Sequence, residues 1–156
     1  MADFLVRDML EADLPALFEI QADADGQFMA AFTDTANDRE KYLSKWRALL
    51  TDDSIVNKTI VVDGEIVGSV ASFVLEGDRE VTYWIRRDFW GRGVATRALA
   101  ALLAEVIVRP LFARAVHDNA GSIRVLERNG FTRIGEEESF AQARQGHVKE
   151  IIFRLD

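Results

Sequence analysis

The 156-residue sequence contains no cysteine, two histidines and two prolines. Without cysteine the chain forms no disulfide, has no thiol nucleophile and offers no Cys-ligated zinc or iron–sulfur site. His117 and His147 are too few for a His-rich metal site, so we expect no metal. A chain without cysteine is compatible with a reducing compartment, and we expect a cytoplasmic protein.

Long apolar runs are absent as well. The longest weakly polar stretch, residues 98–108, is interrupted by Glu105 and is much shorter than the roughly 20 residues that span a membrane. The first 14 residues carry acidic side chains and have no basic segment leading into an apolar one, unlike a signal peptide. We therefore expect no membrane partner and no export.

Positive charge is scarce in the first half of the chain. The net charge is −7, which argues against a nucleic-acid partner bound through a basic surface. Residues 1–80 contain 7 Lys and Arg against 17 Asp and Glu, whereas residues 81–156 contain 12 against 9. The basic residues of the second half are mostly arginines, which suit bidentate contacts with phosphate or carboxylate. Two halves that face solvent differently explain the same asymmetry.

The pattern along the chain predicts one mixed α/β domain, residues 1–156, without repeats or linkers. Asp63-Gly64 is the strongest hairpin signal. Apolar and β-branched runs predict strands at residues 4–7, 59–62, 65–74, 80–85, 111–116, 131–134 and 148–155. Helices are predicted from Leu14, from Asn37, and over residues 94–108 and 119–129.

The segment between the first two predicted helices, residues 23–35, is typical of a loop that covers a pocket. It carries three exposed-looking apolar side chains, Phe28, Met29 and Phe32. Asn37 then caps the second helix in our prediction, with Glu40 reaching back as in a capping box.

A glycine-rich turn between a strand and a helix is the first segment that indicates chemistry. In residues 90–96, Trp-Gly-Arg-Gly-Val-Ala-Thr, two glycines let the backbone approach a ligand, and free N–H groups at the helix start attract a phosphate or pyrophosphate. Glycines of a tight turn explain the pattern equally well. The third glycine of a dinucleotide fingerprint and the Gly-Lys-Ser/Thr of a P-loop are both missing, which excludes those two sites.

The second segment starts at Asn119 and ends at Gly130-Phe131, directly after a predicted strand. In its structural interpretation, Asn119 or Asp118 caps a helix, Ile123 and Leu126 are core residues, and Gly130 ends the helix. The two segments occur in order, separated by one long helix and one strand. Each segment alone is explained by local structure, whereas the two together, in this order, favour a functional interpretation.

Together these segments resemble the GCN5-related N-acetyltransferase (GNAT) superfamily, and within it the RimJ/RimL-like branch. The resemblance covers about residues 60–153, and its loop pattern, Gln/Arg-x-x-Gly-x-Gly/Ala, matches residues 90–95. Trp90 departs from the Gln/Arg start, and an aromatic residue is common there in the RimJ/RimL-like branch. The resemblance implies an α/β (α+β) fold with a mixed, mostly antiparallel sheet, a V-shaped splay between two central parallel strands, and about four helices. It also implies direct transfer of an acetyl group from acetyl-CoA to a protein N-terminal or small-molecule primary amine in a ternary complex.

The resemblance further implies that backbone amides after Arg92 hold the pyrophosphate of acetyl-CoA. Asn119 would bond the pantetheine arm, Ser122 would lie near the sulfur, and a backbone N–H of the strand at residues 83–85 would bind the thioester oxygen. Arg97 and four other arginines are candidates for the outer phosphates. The predicted cofactor-binding residues are Ile85, Arg86, Arg87, Arg92, Gly93, Val94, Ala95, Thr96, Asn119, Ser122 and Arg124.

Many relatives protonate the leaving thiolate with a tyrosine at the position of Leu126, so this role is vacant here. Ser122, one turn earlier on the same helix face, is our replacement candidate. For the general base we consider Glu80, at the start of a strand, and His117, at the end of another. A solvent-facing Glu and a packing His are the structural alternatives. Acidic residues at 136 and 138 could instead attract a cationic amine.

The missing tyrosine leaves a second hypothesis open, a non-catalytic acyl-CoA-binding or sensing module of the same fold. A third is a structural α/β domain without a ligand, against which the amide-rich turn argues. We expect residues 23–35 and 136–147 to build the acceptor pocket, although neither contains a diagnostic motif. Relatives are often dimers, but the sequence shows no interface pattern for a homodimer.

Overall fold

A seven-stranded sheet is the centre of the computed structural model, which describes residues 3–31 and 38–156. The strands lie in the order β1-β2-β3-β4-β5-β7-β6. Their bounds are β1 Phe4–Asp8, β2 Val56–Val62, β3 Glu65–Leu75, β4 Asp78–Ile85, β5 Leu111–Val116, β6 Thr132–Ala141 and β7 Gly146–Leu155. All seven predicted strands are therefore present, most of them longer than predicted.

The only parallel neighbours among the described strands are β4 and β5, and they barely pair. A single pair, Glu80 opposite Phe112, connects them, whereas β3 and β4 pair at eight positions from Gly68–Ile85 to Leu75–Asp78. The two strands therefore separate beyond Glu80 and leave a gap toward their C-terminal ends. The predicted mixed sheet with a splay between two central parallel strands is confirmed.

Five helices occur in the described part of the chain, one more than the four or so expected. They are α1 Leu14–Gln21, α2 Ala24–Ala30, α3 Arg39–Leu49, α4 Val94–Glu105 and α5 Ala120–Arg128. None of the helices within residues 3–31 and 38–156 is long and apolar enough to cross a membrane.

The helices cover the two faces of the sheet differently. Val81 and Ile85 of β4 pack against α4 and α5 in the main core, and we call this side the α4–α5 face. Trp84, between them in sequence, packs against a smaller cluster of α1 and α3 residues on the opposite side. We call that side the α1–α3 face. Successive β4 side chains thus alternate between two layers, as strand geometry requires.

The segment predicted as a covering loop is partly helical. Asp23 Oδ2 accepts from Gly26 N at 2.9 Å and caps α2, so most of residues 23–31 form a helix and not a loop. Residues 32–37, which include Phe32 and the predicted cap Asn37, lie outside the described residues. The cap that the structure shows for α3 is Asp38, which accepts from Lys41 N.

Two further boundaries differ from prediction. Helix α4 ends at Glu105, because Val106 takes an extended conformation (φ −91°, ψ 95°), and the predicted continuation to residue 108 is wrong. The polar segment between the last two predicted strands, which we expected to be a loop, is mostly the paired ends of β6 and β7, with a short turn at residues 142–145. The edge strand β6 carries three consecutive glutamates, Glu136 to Glu138, whose low strand propensity masks the strand in the sequence.

Candidate active site

The gap between β4 and β5 is lined by backbone groups. Arg86 N donates to Val67 O of β3, at 2.7 Å. Backbone N–H groups of a strand alternate in direction. The N–H groups of Tyr83 and Ile85 therefore point away from β3 and into the gap between β4 and β5. Trp90 Nε1 donates to Ile85 O at 2.8 Å and fixes the chain where β4 leads into the glycine-rich turn. Donors for a carbonyl oxygen therefore face the gap.

The glycine-rich turn and the start of α4 lie at the open end of this gap. Gly91 and Gly93 have positive φ angles of 74° and 76°, a conformation that favours glycine. A Cβ at either position would meet nothing within 4 Å, so the space in front of the turn is open. Gly93 is the N-cap of α4, and no side chain in the described ranges bonds that end. The first amides of α4 are thus available to an anion, which fits the pyrophosphate of a CoA ester.

The structure separates the predicted phosphate-binding arginines into two groups. Arg86 is held by Glu65 and Asp88, and Arg87 lies in an ion pair with Asp25. The other three form no ion pair with residues in the described part of the chain: Arg92 lies over the Phe89 ring, Arg97 lies over the Phe4 ring, and Arg124 is exposed on α5. The second group is therefore the freer to meet phosphates.

Helix α5 begins on the far side of the gap. Asn119 is its N-cap, and Asn119 Oδ1 accepts from Ser122 N at 3.2 Å, as in the structural interpretation of this segment. Its Nδ2 amide has no hydrogen-bond partner among residues 3–31 and 38–156. Capping uses only the oxygen of this side chain, so the amide can still donate to a ligand.

Tyr83 brings to the site a hydroxyl that the sequence analysis did not assign. Its phenol oxygen lies 2.6 Å from Ser122 Oγ and 3.2 Å from the Ser122 carbonyl oxygen. Burial raises the pKa of Tyr83 to about 12, against the opposing effect of the Ser122 hydrogen bond, so the phenol stays neutral. Leu126, the position where the family resemblance implies a tyrosine, is fully buried in the core. The only sequence signal for Tyr83 was its alternation with Val81 and Ile85, which places all three on the α4–α5 face.

Glu80 lies at the closed end of the gap, on the α1–α3 face. Only 9% of this residue is exposed, and its carboxylate forms no hydrogen bond or ion pair within the described residues. Burial raises the pKa of Glu80 above its ordinary value, and the charge of Arg114 opposes that rise. Its carboxylate oxygens keep some contact with solvent, since Asn57 Oδ1 is the one fully buried side-chain nitrogen or oxygen without a hydrogen-bond partner in the described part of the chain.

The other predicted base and the acidic loop residues occupy different positions. His117 is exposed at the end of β5, and its Nδ1 lies 3.2 Å from Lys149 O, which makes Nδ1 the donor. Glu136 pairs with Arg133 and Lys149 on the surface, and Glu138 is exposed on β6. None of the three lies at the pair that closes the gap.

A cleft of about 780 Å³ lies on the α1–α3 face. Thr82 and Trp84 of β4 line its floor, and a side chain at Gly26 of α2 would meet Trp84 Cζ2 at 3.1 Å. Its walls include three aromatic residues, Phe18, Tyr42 and Trp46. Gln27 is the only residue of the predicted acceptor segments that lines this cleft in the described structure.

The two predicted acceptor segments meet each other instead, beside β5. Arg144 donates to Phe28 O at 2.6 Å and to both carboxylate oxygens of Asp118, at 2.8 and 2.9 Å. Its guanidinium also lies 4.0 Å from the Phe28 ring centroid. Arg144 therefore connects α2, the turn that follows β5, and the turn between β6 and β7.

Comparison with known proteins agrees with this geometry. The sequence model of the acetyltransferase (GNAT) domain matches residues 3–132. Ribosomal-protein-alanine N-acetyltransferase from Brucella melitensis is 26% identical, with a TM-score of 0.84 over 97% of this chain and 98% of that one. N-acetyltransferase from Staphylococcus aureus Mu50 is 17% identical (TM-score 0.86; 99% and 98% covered). The yncA protein of Salmonella typhimurium, solved with acetyl-CoA, is 19% identical (TM-score 0.80; 98% and 93% covered). No curated protein sequence matches the chain.

The chain belongs to the GNAT acetyltransferase family, since the family's sequence model matches most of its length. It is an N-acetyltransferase with acetyl-CoA as its co-substrate. The seven-stranded sheet with one parallel pair is the GNAT fold that the sequence resemblance implied.

Proposed function

We propose that this protein transfers an acetyl group directly from acetyl-CoA to a primary amine, with a protein N-terminal amine as the first candidate. The arrangement at the gap carries the proposal: hydroxyls lie on the α4–α5 face, a buried carboxylate lies on the α1–α3 face, and the two are about 10 Å apart along β4. The likeness to a ribosomal-protein-alanine N-acetyltransferase supports the RimJ/RimL-like branch and the N-terminal amine.

On the α4–α5 face, the protein holds and orients the co-substrate. Acetyl-CoA supplies an activated acetyl group as a thioester. The amides at the start of α4 bind its pyrophosphate, Arg92 and Arg124 meet the outer phosphates, and Asn119 Nδ2 donates to the pantetheine arm. The N–H groups of Tyr83 and Ile85 donate to the thioester oxygen, where negative charge develops.

Ser122 stabilises the departing sulfur. If Tyr83 donates its proton to Ser122 Oγ, the shorter of its two contacts, the Ser122 hydrogen is free to point at the sulfur. A hydroxyl has a far higher pKa than a thiol, so its contribution is a hydrogen bond to the developing thiolate more than a complete proton transfer. Tyr83 acts here as a positioning residue that aims the Ser122 hydrogen.

On the α1–α3 face, Glu80 is the general base. A primary amine is mostly protonated at neutral pH and must lose a proton before its lone pair can attack the thioester carbon. Glu80 accepts this first proton through water, because its carboxylate lies on the other face of the sheet. The N–C bond then forms and the C–S bond breaks, and the second amine proton passes through water to the departing thiolate, which leaves as the CoA thiol. Glu80 has the burial and the free carboxylate for this role, and its raised pKa brings it closer to the range of a useful base.

The first experiment is calorimetric titration of the protein with acetyl-CoA. Gly93→Glu, which places bulk and negative charge at the start of α4, should abolish binding. Gly64→Glu is the matched control, because Gly64 also has a positive φ and open space but lies in the β2–β3 hairpin. Failure of the folded wild type to bind, or equal loss in both variants, would contradict the cofactor site.

Acetyl-dependent thiol release with a panel of amines is the second step. Peptides that begin with alanine, amino acids and polyamines are compared at equal concentration, pH and ionic strength. We expect release with at least one primary amine and none with the same amine already acetylated. Tight acetyl-CoA binding without release on any amine would support the alternative, a binding or sensing module.

A further inference from the structure

Four charged side chains lie together at the closed end of the gap. Glu80 is opposite Phe112, and Arg114 follows two residues later on β5, which places both charged residues on the α1–α3 face. Glu150 of β7 and Glu137 of β6 are opposite each other in the sheet. Arg114 Nη1 donates to Glu137 Oε2 at 3.0 Å and to Glu150 Oε1 at 3.2 Å. Arg114 therefore bonds two carboxylates and lies near a third, that of Glu80.

The three carboxylates differ in how they reach that cation. Glu137 and Glu150 both accept hydrogen bonds from Arg114, with 55% and 16% of their side chains exposed. Glu80 is buried and interacts with Arg114 only through charge. Its ionisation therefore depends first on its burial and then on the charges of neighbouring strands.

The charges around Glu80 act in opposite directions. After burial, which raises the pKa of Glu80, Arg114 lowers it and Glu150 raises it. Asp78 and Glu76, exposed at the β3–β4 turn, also raise it. Arg154 lies over the Phe112 ring and is paired with Asp156. Arg114 and Glu150 are therefore the two opposing charges on neighbouring strands that can be exchanged without changing β4 itself.

We propose that Arg114 and Glu150 are positioning residues that set the ionisation of Glu80 in opposite directions and so fix the pH range in which the amine can be deprotonated. This inference rests on the proposed function, in which Glu80 takes the proton of the amine. Neither residue touches the reacting atoms. Their role is to balance the charge of a base on a neighbouring strand.

The pH dependence of kcat/KM for one amine tests the proposal. Turnover requires ionised Glu80, so the rate rises with pH through the pKa of Glu80. Arg114→Gln removes the lowering charge and should move this ascending limb to higher pH by about half a unit or more. Glu150→Gln removes the raising charge and should move it to lower pH by a similar amount. Glu137→Gln is the matched control and should leave the limb in place, although Glu137 bonds the same arginine.

The outcomes separate the two proposals. If Glu80→Gln keeps the wild-type limb, Glu80 is not the base, and the proposed mechanism fails. If Glu80→Gln removes the limb but the Arg114 and Glu150 variants move it the same way or not at all, only the inference is overturned. If Arg114→Gln does not fold, Arg114→Lys keeps the charge and should retain the limb. NMR titration of the Glu80 carboxyl carbon needs no activity, and in Glu150→Gln it should show a lowered pKa of Glu80.

Discussion

The two faces of the sheet differ in what their functional groups are made of. On the α4–α5 face, the proposed site consists of backbone amides and hydroxyls from three short segments, residues 83–85, 90–96 and 119–122. On the α1–α3 face, the proposed site consists of charged side chains from four strands that are up to 70 residues apart in sequence. A site built from backbone is encoded locally, whereas a site built from long-range side-chain contacts depends on the register of the whole sheet.

The largest effect that separates the faces is expected for Ser122→Ala. In this variant Asn119 still caps α5, because its partner is the backbone N–H of residue 122, but the hydrogen-bond donor to the thiolate is lost. Turnover should fall about tenfold or more while acetyl-CoA affinity changes little. Steady-state kinetics and calorimetry measure the two quantities.

Ser44→Ala is the control, since Ser44 is also a helical serine but lies exposed on α3. It should keep wild-type turnover. Near-normal turnover of Ser122→Ala would remove Ser122 from the mechanism.

Tyr83→Phe should lower kcat by about fivefold, the value of one neutral hydrogen bond, because the Ser122 hydrogen loses its orientation. Tyr42→Phe is the comparison on the other face. Tyr42 lines the α1–α3 cleft, so Tyr42→Phe should change KM for the amine and leave kcat unchanged. Kinetics with both substrates varied measure the split, and a matching kcat loss in the two variants would erase the distinction between the faces.

The smallest effect is expected for Arg144→Gln. It breaks the bonds to Asp118 and to the Phe28 carbonyl, so α2 loses its connection to the turn after β5. KM for the amine should rise about threefold, because part of one charge-assisted contact is lost. KM for acetyl-CoA should stay the same. Arg128→Gln, exposed at the end of α5, serves as control. An equal rise in both KM values would mean that Arg144 supports the whole fold and not the acceptor side.

Sequence patterns predicted the local geometry of the first hairpin, of the glycine-rich turn and of the start of α5. The hairpin at Asp63-Gly64 is confirmed by positive φ angles at both residues, and the turn at residues 91–93 has the left-handed glycines that it needs. Such features depend on one residue's conformational freedom, which is visible in the sequence. Asn119 likewise caps α5 as its spacing indicates.

The acceptor side was less predictable. Helix α2 is short, with glycine inside it, and much of its support comes from residues distant in sequence, such as Trp84 and Arg144. Strand β6 carries three consecutive glutamates, whose low strand propensity conceals it. Glu80 was a candidate by position alone. Its burial and its relation to Arg114 and Glu150 follow from strand pairing that local patterns do not contain.

The single residue pair between β4 and β5 also has a mechanical consequence. One pair joins a four-stranded part of the sheet, β1 to β4, to a three-stranded part, β5 to β7, whereas every other junction has at least five pairs. Widening the gap by a small rotation of one part against the other therefore strains very few backbone hydrogen bonds, at about 1 kcal/mol each. The sheet is stiff within each part and compliant at their seam, which is where the two substrates meet in the proposed mechanism.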